Sequence, residues 1–473
     1  MPSGASALRA RQSSALAGVV YEKETDAALG VLLQRLAPGG VPSSSLAAYE
    51  AATVRDALRS YKRRTALSKA LAQREAELGS RGYHAWAAAR AASDYKAFAP
   101  VLSEWLALTR EKCAAIDASR PAYDVALDTY ERGMTSARLD EIFSAVRDGL
   151  VPLLAAVKSR GTPPDAAWLS GAFDVDAQAA LCREIAVQMG FDLECGRLDV
   201  SVHPFTGGAG PTDVRMTTRF KATDLTEGLT GAIHETGHAL YEQGRPGGPH
   251  EGLPVSEALS MGVHESQSLL WERMVGLSRP FAAFLLPRLR ARFPQLRADA
   301  SADDLYAAFN AVAARSLIRV EADELHYPLH VILRYELERG LLAGDISVEE
   351  LPARWNEKMQ AYLGVTPEND AQGCLQDVHW SAGAIGYFPT YSLGAMMACQ
   401  LFAAAKRDLP SLEEDIAAGR FAGLKGWLND RVHALGSLHD SADALMVAAT
   451  GEPLKPQAFL DYLTAKYSAI YKL

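Results

Sequence analysis

Hydrophobic and polar residues alternate along this chain mostly with helical period. In residues 44–77, 95–118 and 175–189, apolar positions recur every three to four residues among Ala, Leu, Glu, Lys and Arg, the pattern of helices that bury one face. Proline-containing breaks at Pro42, Pro100, Pro121, Pro152 and Gly161-Thr-Pro-Pro164 divide the first 195 residues into helical stretches. Gly190 is expected to close the helix over 175–189. The period then changes to two. Arg197-Leu-Asp-Val-Ser-Val-His203 and Asp213-Val-Arg-Met-Thr-Thr-Arg-Phe220 read as strands, and Phe205-Thr-Gly-Gly-Ala-Gly-Pro211 as a glycine-rich turn between them. The free edge of such a small sheet can take up an extended peptide, although a plain structural hairpin has the same pattern. Helical spacing returns from residue 223. One long helix is expected over 302–339, with Arg315, Arg319 and Asp323 forming an i,i+4 ladder and Pro328 kinking or ending it near Tyr327. A further helix is expected over 347–362. Residues 364–395 are loop-rich, and 396–473 are helical. The prediction is a mainly α chain with one small β-sheet, read as a single domain over 1–473. Its parts are a helical part (1–195), a small sheet (196–222), metal-binding helices (223–275) and a helical part with substrate-binding loops (276–473).

The chemistry is concentrated just after the sheet, in Gly231-Ala-Ile-His-Glu-Thr-Gly-His-Ala-Leu-Tyr241. His234 and His238 are four apart, so a helix places both imidazoles on one face. Two nitrogens so placed can hold one Zn²⁺, and Glu235 leans over the open side of the ion as a general base. The alternative is a surface helix with two solvated histidines. Ile233, Ala239 and Leu240 argue for a buried helix instead, and buried histidines need partners. A catalytic zinc takes a third protein ligand. Glu265 lies on the apolar face of the next helical stretch, with Met261 and Leu269 four residues to either side. It is preferred over Glu257, His264 and Glu272 nearby.

Composition narrows the remaining possibilities. The 473 residues are 48% hydrophobic and carry a net charge of −9. That balance argues against a nucleic-acid surface and against adsorption to anionic lipid. The five cysteines are scattered, with no C-x-x-C pair, as expected of reduced thiols in a cytoplasmic protein. No apolar signal-peptide core stands at the N-terminus. Residues 378–405 contain no Asp, Glu, Lys or Arg. Gly383, Gly386, Pro389 and Gly394 within them favour a buried loop and core helix over a membrane span.

Several motifs together resemble the carboxypeptidase Taq family of metallocarboxypeptidases. They are His203-Pro-Phe205, Asp213-Val-Arg-Met-Thr217, His234-Glu-Thr-Gly-His238, His264-Glu-Ser-Gln267, Ile318-Arg-Val-Glu-Ala-Asp323, Gly373-Cys-Leu-Gln-Asp-Val-His-Trp380 and Gly386-Tyr-Phe-Pro-Thr-Tyr-Ser-Leu-Gly394. The resemblance implies a helical, saddle-shaped subunit with a deep active-site groove, a homodimer, and Glu265 as third zinc ligand, with Co²⁺ able to replace Zn²⁺. It also implies removal of C-terminal residues from peptides with broad specificity, proline being disfavoured. Family members usually begin with a Trp-Asp-x-x-Thr-x-Met-Pro segment. Here Met1-Pro2 stands where that segment would end, which implies a shortened chain or a start further upstream.

Within this frame Tyr387, Tyr391 and His379 are candidate donors to a tetrahedral oxyanion. Ring packing for the tyrosines and a satisfied buried histidine are the plainer alternatives. Arg319, then Arg215, are candidates to clamp the substrate carboxylate; a salt bridge to Asp323 is the plainer role for Arg319, and Arg315 reads as structural. Gln267 is placed at the substrate-binding region, beside the metal. His326 and His330 have no acid placed between them as in the metal motif and read as structural. The nearest rival is a zinc endopeptidase or oligopeptidase with the same metal chemistry and no carboxylate clamp; the other rival is a non-catalytic helical zinc-binding scaffold.

Overall fold

The computed structural model describes residues 6–201 and 203–473; Met1-Pro2 and Val202 lie outside them. The described chain is mainly helical, with one three-stranded sheet. It divides into two compact units, each built from separated segments. One comprises the chain up to Arg147, with Arg315–Ala322 and His326–Pro389; the other comprises Asp148–Ala314, Asp323–Leu325 and Thr390–Leu473. The changes of character read near residues 195, 222 and 275 fall inside the second unit.

Local rules explain most helix limits. Asp174 accepts from the Ala177 amide to open the helix Val175–Met189, and Gly190 closes it at φ 106°. The single helix expected over 44–77 is two, Ala48–Thr65 and Lys69–Ala92, because the Ser68 side chain caps the second by accepting from the Leu71 amide. The long helix expected over 302–339 is also absent. Ala302–Phe309 ends at Asn310, a non-helical stretch follows, and a new helix runs from His326 to Ala343. Pro328 therefore lies in the first turn of a helix, where its missing N–H costs nothing, and does not end one. The ladder of Arg315, Arg319 and Asp323 is not formed, since these residues share no helix.

The sheet has the order β1-β3-β2. β1 (Gly196–Val200) runs parallel to β3 (Asp213–Thr218), and β2 (Phe205–Gly210) runs antiparallel to it. The expected glycine-rich turn is thus itself a strand, paired Phe205 to Thr217 and Thr206 to Met216. Alternation along β3 buries Val214 and Met216 and leaves Arg215 exposed. The charge-free stretch forms a short turn at His379–Ala382 and then the helix Pro389–Asp408, whose Met396, Met397 and Ala398 are fully buried. Among the described residues no helix is long and apolar enough to cross a membrane.

Candidate metal centre

Two helices of the second unit form the centre. The metal helix, Leu225–Gly244, is opened by Asp224, which accepts from the Thr226 and Glu227 amides. The next helix, Met261–Leu269, is opened by Ser260 and passes directly into a π-helical turn, Leu270–Gly276. The two run antiparallel, so His238 meets Glu265 (Nε2–Oε2 3.4 Å) while His234, one turn earlier, meets Glu272 (Nδ1–Oε2 2.7 Å). Close approach of the helices depends on Gly237. A Cβ there would stand 2.6 Å from the Gln267 carbonyl oxygen and 2.7 Å from Ser268 Cα. Gly394 of the Pro389–Asp408 helix plays the same part on the other side of Glu265, where a Cβ would meet Glu265 Cβ at 2.7 Å and Cγ at 2.8 Å. Glu265 is thus confined by backbone, a stiffer restraint than neighbouring side chains.

One ligand atom each from His234, His238 and Glu265 lie within 4.8 Å of one another. Hydrogen bonding fixes which imidazole atoms face inward. Glu272 takes the His234 Nδ1 proton, which leaves Nε2 with its lone pair. For His238 the chain is longer. His264 Nε2 donates to Glu242 Oε1 at 2.7 Å, so its Nδ1 accepts from His238 Nδ1 at 2.6 Å, and His238 Nε2 is left as the lone-pair atom. Glu242 is held in turn by Arg245 at 2.7 Å, and Arg245 reaches the exposed Glu257 at 3.1 Å. Two imidazole lone pairs and one carboxylate, each imidazole oriented from behind, suit a divalent cation. The 3.4 Å between His238 Nε2 and Glu265 Oε2 is the spacing of about 3.4 Å that two ligands at about 2.0–2.1 Å from a tetrahedral ion require.

The electrostatics agree. Burial pushes the His234 imidazole down, but its hydrogen bond to Glu272 and the charges of Glu265, Glu272 and Glu235 outweigh this and lift it to about 9. Burial, with the neighbouring imidazoles, lowers His238 despite the nearby Glu265 carboxylate. Glu265 is held at about 2: burial opposes its charge, and the adjacent His238 and His234 prevail. The site therefore keeps its carboxylate ionised.

Glu235 is buried beside these ligands. Its Oε2 accepts from the Thr206 hydroxyl at 2.6 Å, and the same hydroxyl lies 3.1 Å from its backbone carbonyl. Thr206 is hidden in the sequence by the glycines beside it, which read as a turn; its place directly after His203-Pro-Phe205 is the available signal. Glu272 and His264, the alternative ligands, brace the two histidines from behind.

The other candidates fall in different places. Gln267 is fully buried, 2.9 Å from His433 Nε2 and bonded to Ser266 Oγ. Arg215 sits on the exposed side of the sheet, paired through Nε and Nη2 with Asp213 at 2.8 Å. Tyr391 is half-buried in the first turn of the helix that carries Gly394; three residues apart, the two share a face. In the first unit, His379 packs on Phe388 and Tyr387 (ring centroids 4.4 and 5.4 Å), and Tyr387 packs edge-on against Tyr130. Arg319 pairs with Asp377. Its Nε and the Nε of Arg334 grip the two oxygens of that carboxylate at 2.9 and 2.7 Å, and its Nη1 donates to Tyr327. The Arg319 amide donates to Gln376, so two of the motifs are zipped together. His326 and His330 are fully buried, with His330 bonded to Ser316 and Arg334, the structural role expected of them.

Residues 1–467 match the family described as carboxypeptidase Taq (M32) metallopeptidase. The chain is 41% identical to thermostable carboxypeptidase 1 of Thermus thermophilus over 472 residues, covering 98% of this chain and 92% of that one. It is 39% identical to carboxypeptidase 1 of Bacillus subtilis over 84% of this chain and 78% of that one. The crystal structure of an M32 carboxypeptidase from Deinococcus radiodurans superimposes with a TM-score of 0.93 at 37% identity, covering 100% of this chain and 94% of that one. With the helical fold and the cluster of His234, His238 and Glu265 already in place, these likenesses show that the chain belongs to the carboxypeptidase Taq family and is a metallocarboxypeptidase, a peptide hydrolase.

Proposed function

We propose that this enzyme releases amino acids singly from the free C-terminus of peptides, with broad specificity and with proline disfavoured, using zinc, replaceable by cobalt. The observation that carries the reading is the meeting of His234 Nε2, His238 Nε2 and the Glu265 carboxylate beside Glu235. These three residues hold the ion. When bound, such an ion supplies Lewis acidity, polarising a carbonyl and bringing the pKa of water toward ~7.

The protein's own groups do the rest. Glu235 accepts the proton of the attacking water at Oε1, since Oε2 is engaged by Thr206, and delivers it to the departing amine. Glu272 and His264 keep the two imidazoles in the tautomer that turns Nε2 inward. Tyr391 is the preferred oxyanion donor, because its helix face carries Gly394 against Glu265; Tyr387 and His379, in the first unit, rank after it. For the substrate carboxylate we favour Arg215 over Arg319. The exposed Arg215–Asp213 pair exchanges partners at little cost, whereas Arg319 is buried and committed to Asp377. Gln267, buried against His433, is read as support for the glutamate helix and not as a substrate contact. The resemblance also supports a homodimer, and five cysteines free of disulfides support a cytoplasmic protein.

The test is a peptide with a free C-terminus and its amidated twin, each incubated with the zinc or cobalt enzyme and followed by mass. Stepwise loss of single residues from the free acid alone is expected. Internal cleavage of both peptides would replace this reading with the endopeptidase one.

A further inference from the structure

We infer that Thr206 is a positioning residue for Glu235: its hydroxyl sets which carboxylate oxygen faces the substrate water. The inference rests on the reading of Glu235 as general base. Among the described residues, Thr206 is the one side chain that donates to the Glu235 carboxylate. Glu235 needs such a restraint. It is buried, it follows the ligand His234 in sequence, and Glu265 and Glu272 place two further carboxylates around the same pair of histidines. An untethered carboxylate there can turn toward an imidazole or toward the cation itself and be lost as a base. Thr206 engages Oε2 at 2.6 Å and keeps the backbone carbonyl within 3.1 Å, so side chain and main chain of Glu235 are gripped from one point. Oε1 is left for the water.

That point is itself fixed. Thr206 is paired with Met216 across the sheet, and Met216 Sδ lies 3.7 Å from Thr236 Oγ1, the next residue of the metal helix. The strand is therefore registered over the helix by two adjacent contacts. A hydroxyl held this way acts by orientation and takes no part in bond making.

The experiment compares Thr206→Val, Thr206→Ser, Glu235→Gln and the double variant T206V/E235Q in the full-length zinc enzyme. Valine keeps the shape and strand preference of threonine and removes only the donor. T206V is expected to lower kcat roughly 10- to 100-fold, as a misplaced catalytic group does. KM should stay within about twofold, with zinc content and circular dichroism unchanged. T206S is expected to recover most of kcat. Adding T206V to E235Q should cost nothing further, because the two act as a unit. The inference is overturned if T206V keeps kcat, if T206S fails as badly as T206V, if zinc content or fold falls in parallel with kcat, or if T206V costs the same factor with and without Glu235. An E235Q enzyme with full kcat would instead remove the general-base reading, and this inference with it.

Discussion

Two buried clusters in this protein each set one carboxylate against two nitrogen-bearing side chains and differ in how they are completed. Around His234, His238 and Glu265, two imidazole nitrogens and a carboxylate oxygen converge with no proton between them to spare. Around Asp377, both carboxylate oxygens are answered: Arg319 and Arg334 each take one, and Tyr327, Trp355 and Phe388 cover the guanidinium groups. The first cluster is one that could hold a metal ion. The second is complete in itself, and its charges, which desolvation would otherwise make costly, stabilise one another. A charged residue in a buried cluster is therefore a functional candidate when its partners leave an atom over, and a structural one when they do not.

Substitutions sharpen that contrast. The largest effect is expected at the open cluster. Glu235→Gln should lower kcat by roughly 10²–10⁴ with thermal stability and zinc content unchanged, measured by steady-state kinetics beside calorimetry. A parallel loss of stability would mean that this cluster, too, is structural. At the closed cluster the order reverses. Arg319→Ala removes half the neutralisation of a buried carboxylate and should destabilise the fold by about 3 kcal/mol in denaturant titration, whereas Arg215→Ala, at an exposed pair, should cost less than about 1 kcal/mol while weakening the preference for free over amidated peptides. The arginines hold Asp377 well below the usual carboxylate range despite burial. A carboxyl depressed by folding stabilises at pH above its unfolded value near 3.9, and that stability drains away as pH falls below about 4. Asp377→Asn should flatten this acid limb.

Glu338 supplies the opposite sign. It is fully buried and accepts from Trp380 Nε1, the Gly386 amide and the Tyr123 hydroxyl, yet burial outweighs these and raises it to about 7. A carboxyl raised by folding binds a proton in the native state that the unfolded chain has lost. The contribution of Glu338 is therefore greatest below about pH 4.5 and declines as pH rises to about 7, by up to about 3 kcal/mol. Glu338→Gln should abolish that slope in melts between pH 5 and 8. The remaining substitution is the most local. Gly394→Ala drives a methyl group against Glu265 and should weaken zinc binding roughly 10- to 100-fold in chelator competition, with helix content intact.

What could be read from the sequence follows the range of the interactions. The spacing of His234 and His238 is a property of one helix, so it was legible at once, as was Glu265 from its misfit on an apolar face. The strand period of β1 and β3 was equally local. Asp377, which Arg319 grips, lies 58 residues on, so no local spacing could name it. Pro328 signals a boundary without saying on which side the helix lies. β2 was hidden because Gly208 is demanded by the close approach of the Asp213 carbonyl in β3, and glycine in a sequence looks like a turn. The side chain that grips Glu235 was hidden with it.

The seat of Glu265 has a consequence for how the protein is made. The wall supplied by Gly394 belongs to a helix that leaves the ribosome long after Glu265 does, an interval of roughly ten seconds at ordinary synthesis rates. Both units close only when late segments return to early ones. A nascent chain therefore presents the two histidines and a loosely held glutamate to the cell before the pocket that fixes their geometry exists, and cation capture with full affinity is an event of the finished polypeptide.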